Sequence, residues 1–222
     1  MAETVPLFPL STVLLPGVSL PLHIFEPRYR QLTVDLVTGA VPGRRFGVIA
    51  VKPGLGTTEE TYDIGCTAVL QEARRLPDGR FDIVTRGAKR FRLLDIDDTS
   101  APYLLGGVEW VPDADPPAEQ SVLLPMLARS AREAHRQYHW AAGQHADCET
   151  PKEDVDSAAL AHLLASDCLL TLEDQQALLE ERDPANRLRL VRTLLMREAA
   201  FLRMLRAVPV PLKQFDVKTS RN

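Results

Sequence analysis

His135 and His139 stand four residues apart in a stretch of helical periodicity, so both imidazoles would share one face. His145 and Cys148 follow closely. Nitrogen and sulfur donors at such spacing can hold zinc in principle. The C-x-x-C half of the common zinc motifs is missing, however, and Trp140 intervenes. The expectation is solvated histidines at a helix end, with no metal and no cofactor. A second group is cationic. Arg74, Arg75, Arg80, Arg86, Lys89, Arg90 and Arg92 crowd a segment that also holds Phe81 and Phe91. Positive charge interleaved with aromatic rings on strands can bind RNA. The competing reading is an amphipathic sheet with the charges outward and the phenylalanines inward. Glu72, Asp78 and Asp82 neutralise part of the run, which favours the sheet. Arg74, Arg75, Arg80, Lys89 and Arg90 remain the candidate RNA contacts. Covalent or phosphate chemistry finds less. Ser121, Ser130, Ser157 and Ser166 sit in no nucleophile signature, and GxSxG, HExxH and GxxxxGK[ST] are all absent. Gly54-Leu55-Gly56-Thr57 has neither the lysine nor the helix of a phosphate loop and reads as a turn.

The elements that must position these groups change character along the chain. Its 222 residues are 45% hydrophobic and 25% charged, with a net charge of -4. That composition excludes a disordered, collagen-like or polytopic membrane chain. Three widely spaced cysteines form no disulfide framework, and the start lacks the basic region of a signal peptide. A reduced, soluble, cytoplasmic protein is expected. The first half reads as strands: Thr4 to Phe8, Val18 to Ile24, Phe46 to Val51, Thr67 to Arg75, Arg80 to Thr85, Lys89 to Ile96 and Tyr103 to Val111. Pro77-Asp78-Gly79 is a hairpin signal, and Gly87 reads as a further turn. One helix interrupts, from about Pro27 to Val37, with Tyr29, Leu32 and Leu36 on one face.

Pro112 to Glu119 is proline-rich and acidic and reads as a linker, after which the period becomes helical. Leu124, Leu127, Ala131, Ala134, Tyr138 and Ala142 make one stripe. A polar loop at Asp147 to Asp154 precedes helices at Val155 to Leu170 and Leu172 to Glu181, the latter capped by Thr171 with Asp174 three residues on. Asp183-Pro184 opens a long last helix with Leu188, Val191, Leu195, Leu202 and Leu205 inward. The domain expectation is a β subdomain over 1–112, a linker over 113–119, a helical subdomain over 120–209 and a loose tail over 210–222. The fold class is α+β.

The most specific residues open the chain. Pro6-Leu7-Phe8-Pro9-Leu10 is followed by Leu14-Leu15-Pro16-Gly17 and by Leu20-Pro21-Leu22-His23-Ile24-Phe25-Glu26-Pro27-Arg28-Tyr29-Arg30. Further blocks are Phe46-Gly47-Val48, Ile64-Gly65-Cys66-Thr67-Ala68, Leu76-Pro77-Asp78-Gly79-Arg80 and Gly87-Ala88-Lys89-Arg90-Phe91-Arg92. In order and spacing these resemble the Lon N-terminal substrate-binding domain. The helices that follow are similar to those of stand-alone bacterial members. The resemblance implies a six-stranded, PUA-like β-barrel or rolled sheet with one helix, followed by an α-helical bundle. It also implies recognition of damaged or unfolded proteins, hence a part in protein quality control. The Walker motif and Ser-Lys dyad of Lon are missing from this sequence, so protease activity is not carried over.

Within the opening block, Leu20, Leu22 and Ile24 alternate inward and His23 faces the other way. Glu26 stands at the positive end of the helix, with Arg28 or Arg30 as its partner. These polar residues are expected first to maintain the fold. As a site, His23, Phe25, Glu26, Arg28 and Tyr29 are the candidates for peptide contact. The functional expectation is a non-enzymatic protein-binding module with a groove between barrel and helices. Its partners would be unfolded or partner proteins, a separate Lon protease among them, and neither nucleic acid nor membrane. RNA binding through the basic hairpin is the alternative, and a hydrolase ranks last.

Overall fold

The computed structural model describes residues 3–54, 60–115, 117–144, 151 and 154–205. The expected loops over 55–57 and 147–150, His145 and the tail over 210–222 lie outside the described residues. The described residues up to 114, together with 175–182, form one compact unit. Those from 115 to 174 and from 183 onward form another.

The first unit is built on six strands: β1 (Glu3–Leu10), β2 (Ser19–Ile24), β3 (Arg45–Ala50), β4 (Ile64–Arg75), β5 (Phe81–Asp97) and β6 (Leu105–Trp110). Their order is β2-β5-β4-β3-β1-β6, and β6 also pairs with β5. That second pairing closes β5, β4, β3, β1 and β6 into a ring and leaves no open edge among them. β1 and β3 run parallel; the other pairs are antiparallel. Closure depends on β5, whose 17 residues pair with β2 through Phe81–Arg86 and with β6 through Phe91–Asp97.

Two strands divided by a turn at Gly87 were expected here. Instead Gly87 lies inside β5, opposite Ala68. Its N–H donates to the Val18 carbonyl at 2.8 Å, and its own carbonyl accepts from Gly17 N–H at 2.9 Å. A Cβ at Gly87 would collide with the Leu15 carbonyl. The glycine therefore marks a close backbone approach, not a chain reversal. The reversal at Pro77-Asp78-Gly79 is as expected: Gly79 has φ +81, and Leu76 N–H reaches the Arg80 carbonyl at 2.8 Å.

Val5, Leu7, Ile49, Phe91 and Val108 form the barrel core. Helix α1 (Pro27–Thr38) turns Tyr29, Leu32, Thr33 and Leu36 inward and stops at Gly39, which is left-handed at φ +83. Tyr29 stacks on Phe8 with centroids 3.7 Å apart.

The second unit holds α2 (Ala118–Ala141), α3 (Ser157–Ala165), the start of α4 (Leu172–Glu180) and α5 (Pro184–Leu205). Helix α2 begins at Ala118, inside the stretch read as linker. α3 is shorter than its apolar run, because the chain leaves the helix at Ser166. Thr171 Oγ1 accepts from Asp174 N–H at 3.2 Å and donates to its carboxylate at 2.9 Å, which caps α4. Asp183 Oδ1 accepts from Ala185 N–H at 2.8 Å and caps α5. Ala131, Ala134 and Tyr138 of α2, Leu160 and Leu164 of α3, and Leu188, Val191 and Leu195 of α5 are buried.

Residues 175–182, which periodicity places with the helices, pack in the strand unit. Gln176 Nε2 donates to the Ile64 carbonyl at 3.0 Å, and Ala114 N–H to the Arg182 carbonyl at 2.9 Å.

Candidate functional site

β2 and α1 meet at a corner where the opening block puts its polar residues on the surface. Strand alternation turns His23 outward while Ile24 goes in. His23 Nδ1 lies 2.7 Å from Asp82 Oδ1 of the paired strand β5. Its Nε2 faces Arg80 Nη1 at 3.1 Å. A guanidinium only donates, so this arrangement places the ring proton on Nδ1 and leaves Nε2 as the acceptor. Asp82 also accepts from Arg74 at 2.6 Å. The His23 and Arg74 hydrogen bonds hold the Asp82 carboxyl below the usual carboxylate range. A His–Asp pair supplies two of the three members of a hydrolytic triad. Here, however, Arg80 occupies the nitrogen that would take a nucleophile's proton, so the pair is built for positioning.

Phe25 follows and is 60% exposed, which is costly for a large apolar ring and common at binding surfaces. Glu26 opens α1 without a side-chain cap, and Arg28 Nε donates to its carboxylate at 3.0 Å. Arg28 thus takes the pairing left open between Arg28 and Arg30. Its guanidinium also lies 4.6 Å from the centre of the Tyr29 ring. Tyr29 differs from the other peptide-contact candidates: at 3% exposure it belongs to the core, because it lies on the buried stripe of α1.

Beside this corner is a shallow hollow of about 300 Å³, lined by Pro27, Arg30, Gln31, Val34, Arg75, Gly79 and Phe81. Val34 and Val37 on α1 are exposed large hydrophobics. Sequence reasoning did not select them. Their signal was there, as apolar residues that fall off the buried stripe of an amphipathic helix.

Part of the basic segment is paired. Arg74 goes to Asp82, Arg80 to Asp78 and His23, and the Lys89 ammonium lies over Trp110. Arg90 is buried: it donates to the carbonyls of Leu179 at 3.1 Å and Glu181 at 2.8 Å, and it pairs with Asp113. Phe81 and Phe91 point inward. Of the candidate RNA contacts, Arg90 is thus an internal helix-end clamp, and Arg75 lines the hollow. The segment forms an amphipathic sheet in which Arg74, Arg80 and Arg90 have carboxylate partners.

The two histidines of α2 are not solvated, contrary to the expectation. His135 is 0% and His139 4% exposed. They meet Asp167, which follows α3 in the second unit. Burial disfavours a charged His139, but the Asp167 carboxylate outweighs it and raises the imidazole above its usual pKa. Asp167 is in turn held below the usual carboxylate range, since the hydrogen bonds from both imidazoles overcome its burial. Periodicity could place the histidines on one face but not find Asp167, which is brought in by tertiary packing.

The family model described as the ATP-dependent protease La (LON) substrate-binding domain matches residues 4–197. Lon protease 1 of Thermus thermophilus is 33% identical over 147 residues, covering 63% of this chain and 18% of that protein. Lon protease of Desulfovibrio desulfuricans is 29% identical over 203 residues, covering 88% of this chain and 22% of that protein. The chain therefore spans about a fifth of the length of the curated relatives it matches. Among solved structures, a Lon N-terminal domain protein from Xanthomonas campestris is similar, with a TM-score of 0.58 and 27% identity. It covers 84% of this chain and 95% of its own. The N-terminal domain of Lon protease from the Mycobacterium avium complex shares the fold, with a TM-score of 0.61 and 22% identity over 87% of this chain and 98% of its own.

Proposed function

The chain belongs to the LON substrate-binding domain family, and from that premise we propose that it binds unfolded or partner proteins through their apolar segments and catalyses no reaction itself. The observation that carries this reading is the exposed apolar surface of Phe25, Val34 and Val37 around α1, with the hollow beside it. Such surface is what an apolar segment of a client would cover. The surrounding polar residues, His23, Glu26, Arg28 and Asp82, are paired to one another or to Arg74 and Arg80, so they shape the rim at low desolvation cost. In this reading His23, Phe25, Glu26 and Arg28 belong to the binding surface, and Tyr29 supports it from the core. A Lon protease is the partner that family membership favours, and the cytoplasm the place. No described helix is long and apolar enough to cross a membrane.

The test is binding of a fluorescently labelled, chemically unfolded protein to the wild-type chain and to a Phe25→Ser, Val34→Ser variant. Both residues are exposed, so the variant should keep its melting temperature and lose about tenfold in affinity, which corresponds to about 1.4 kcal/mol. Wild-type binding should change little between low and moderate salt, because apolar contact releases no counterions. Unchanged affinity in the variant, or a steep loss of binding with salt, overturns the assignment.

A further inference from the structure

We propose that the second unit carries a zinc site formed by His135 and His139 of α2 with Asp167 and Cys168, the pair that follows α3. One donor atom from each of the four residues lies within 4.8 Å of all the others. His135 Nε2 is 2.9 Å from Asp167 Oδ1, and His139 Nε2 is 3.2 Å from Asp167 Oδ2. The two Nε2 atoms are 3.1 Å apart, and Cys168 Sγ is 3.6 Å from Asp167 Oδ1. Tetrahedral zinc at its usual bond lengths sets nitrogen and oxygen ligands about 3.4 Å apart, and a sulfur about 3.6 Å from either. The two imidazoles and the carboxylate are thus spaced close to tetrahedral edges, and the sulfur lies within 4.8 Å of each, near enough to close on the ion with a small side-chain movement.

The surroundings select a ligand geometry. His139 Nδ1 is 2.7 Å from Gln144 Oε1, an amide oxygen that only accepts, so Nδ1 carries the proton. In the neutral ring Nε2 then holds a lone pair aimed at a carboxylate oxygen and at a second imidazole nitrogen. Electron-rich atoms converge there, and either a shared proton or a metal ion reconciles them. An outward hydrogen bond from the ring nitrogen that does not bind is the usual support of a metal-ligating histidine. His135, His139 and Cys168 are all buried, which makes the pocket closed and structural in type. The Asp167 side chain is 45% exposed and leaves a way in. Binding displaces the Cys168 thiol proton to solvent and ties the chain after α3 to α2. Among the described residues the sulfur donor is Cys168, twenty residues beyond Cys148 in sequence.

The experiment uses the tag-free, reduced full chain titrated with Co²⁺ and then with Zn²⁺ as competitor. One equivalent of Co²⁺ should give the visible bands of a tetrahedral ion and a near-ultraviolet thiolate-to-cobalt band, both abolished by Zn²⁺. Cys168→Ser should lose the thiolate band and Cys148→Ser should keep it. Asp167→Asn, at a half-exposed position, should keep the helical circular dichroism of the metal-free chain and bind Zn²⁺ at least tenfold more weakly. Gln144→Ala should weaken it by about tenfold through the ring it orients. The proposal is overturned by six-coordinate Co²⁺ spectra, by no stoichiometric binding, or by a thiolate band that depends on Cys148. It is equally overturned if Asp167→Asn binds as tightly as wild type. A protons-only cluster would show the second of these outcomes.

Discussion

Arg90 shows how much a single side chain can be misread from its charge. In sequence it is one more cation in a basic run; in the barrel its side chain is 4% exposed and clamps the end of α4. Replacing it with Met removes hydrogen bonds to two carbonyls and leaves Asp113 without this partner. The expected loss in urea unfolding is about 3 kcal/mol, the range for breaking a buried charged pair. Arg74→Ala, at a 76% exposed side chain, should stay within about 0.5 kcal/mol. Equal effects for the two would refute the clamp. His23 is the opposite case. Alternation predicted that it faces outward, and it does, but its partners are Asp82 of β5 and Arg80 just before that strand, which no local pattern ties to it.

At the scale of elements, caps were legible and pairings were not. Thr171-x-x-Asp174 and Asp183-Pro184 mark helix starts because the first N–H groups need acceptors, a purely local requirement. The pairing of Asp174 with Arg197 of α5, at 2.5 Å, needs the two helices side by side. Burial works against ionised Asp174, but the bonds from Arg197 and Thr171 outweigh it and lower its pKa. A carboxyl lowered in the folded state adds stability that is present above its unfolded pKa of about 3.9 and is lost as pH falls through the folded value. Asp174→Asn should therefore cost about 1 kcal/mol near neutral pH, and the gap to wild type should narrow below about pH 4. Thermal melts across that range check it, and a gap that widens in acid would contradict the assignment. The length of β5 is the other lesson of this scale. A glycine inside a strand reads as punctuation until the backbone that presses against it, here Leu15 at Gly87, is known.

For the whole molecule, the strand unit is discontinuous in sequence. Residues 175–182 supply the Ile64 carbonyl with the Gln176 amide, Arg90 with two carbonyls, and Ala114 with a partner at Arg182. A fragment ending at residue 114 would keep all six strands but leave the buried Arg90 without its carbonyl acceptors. It should melt at lower temperature and less cooperatively than the full chain, by circular dichroism. Adding a peptide spanning 172–183 in excess should recover part of the loss. A fragment that melts like the full chain would show that the segment adds nothing to the unit.

Sequence alone determined the α+β class, the strand-rich first half, the hairpin at Pro77-Asp78-Gly79, the helix caps and the family resemblance of the opening block. All of these rest on period, turn chemistry or short contiguous blocks, which are local properties of a chain. Tertiary structure alone decided that Tyr29 and Arg90 are internal, that Val34 lines an open hollow while Val37 stays exposed, and that His135 and His139 meet Asp167 and Cys168. Those facts depend on which distant residues are brought together. Burial and charge pairing are set by the neighbours in space, and a one-dimensional pattern records only the neighbours in sequence.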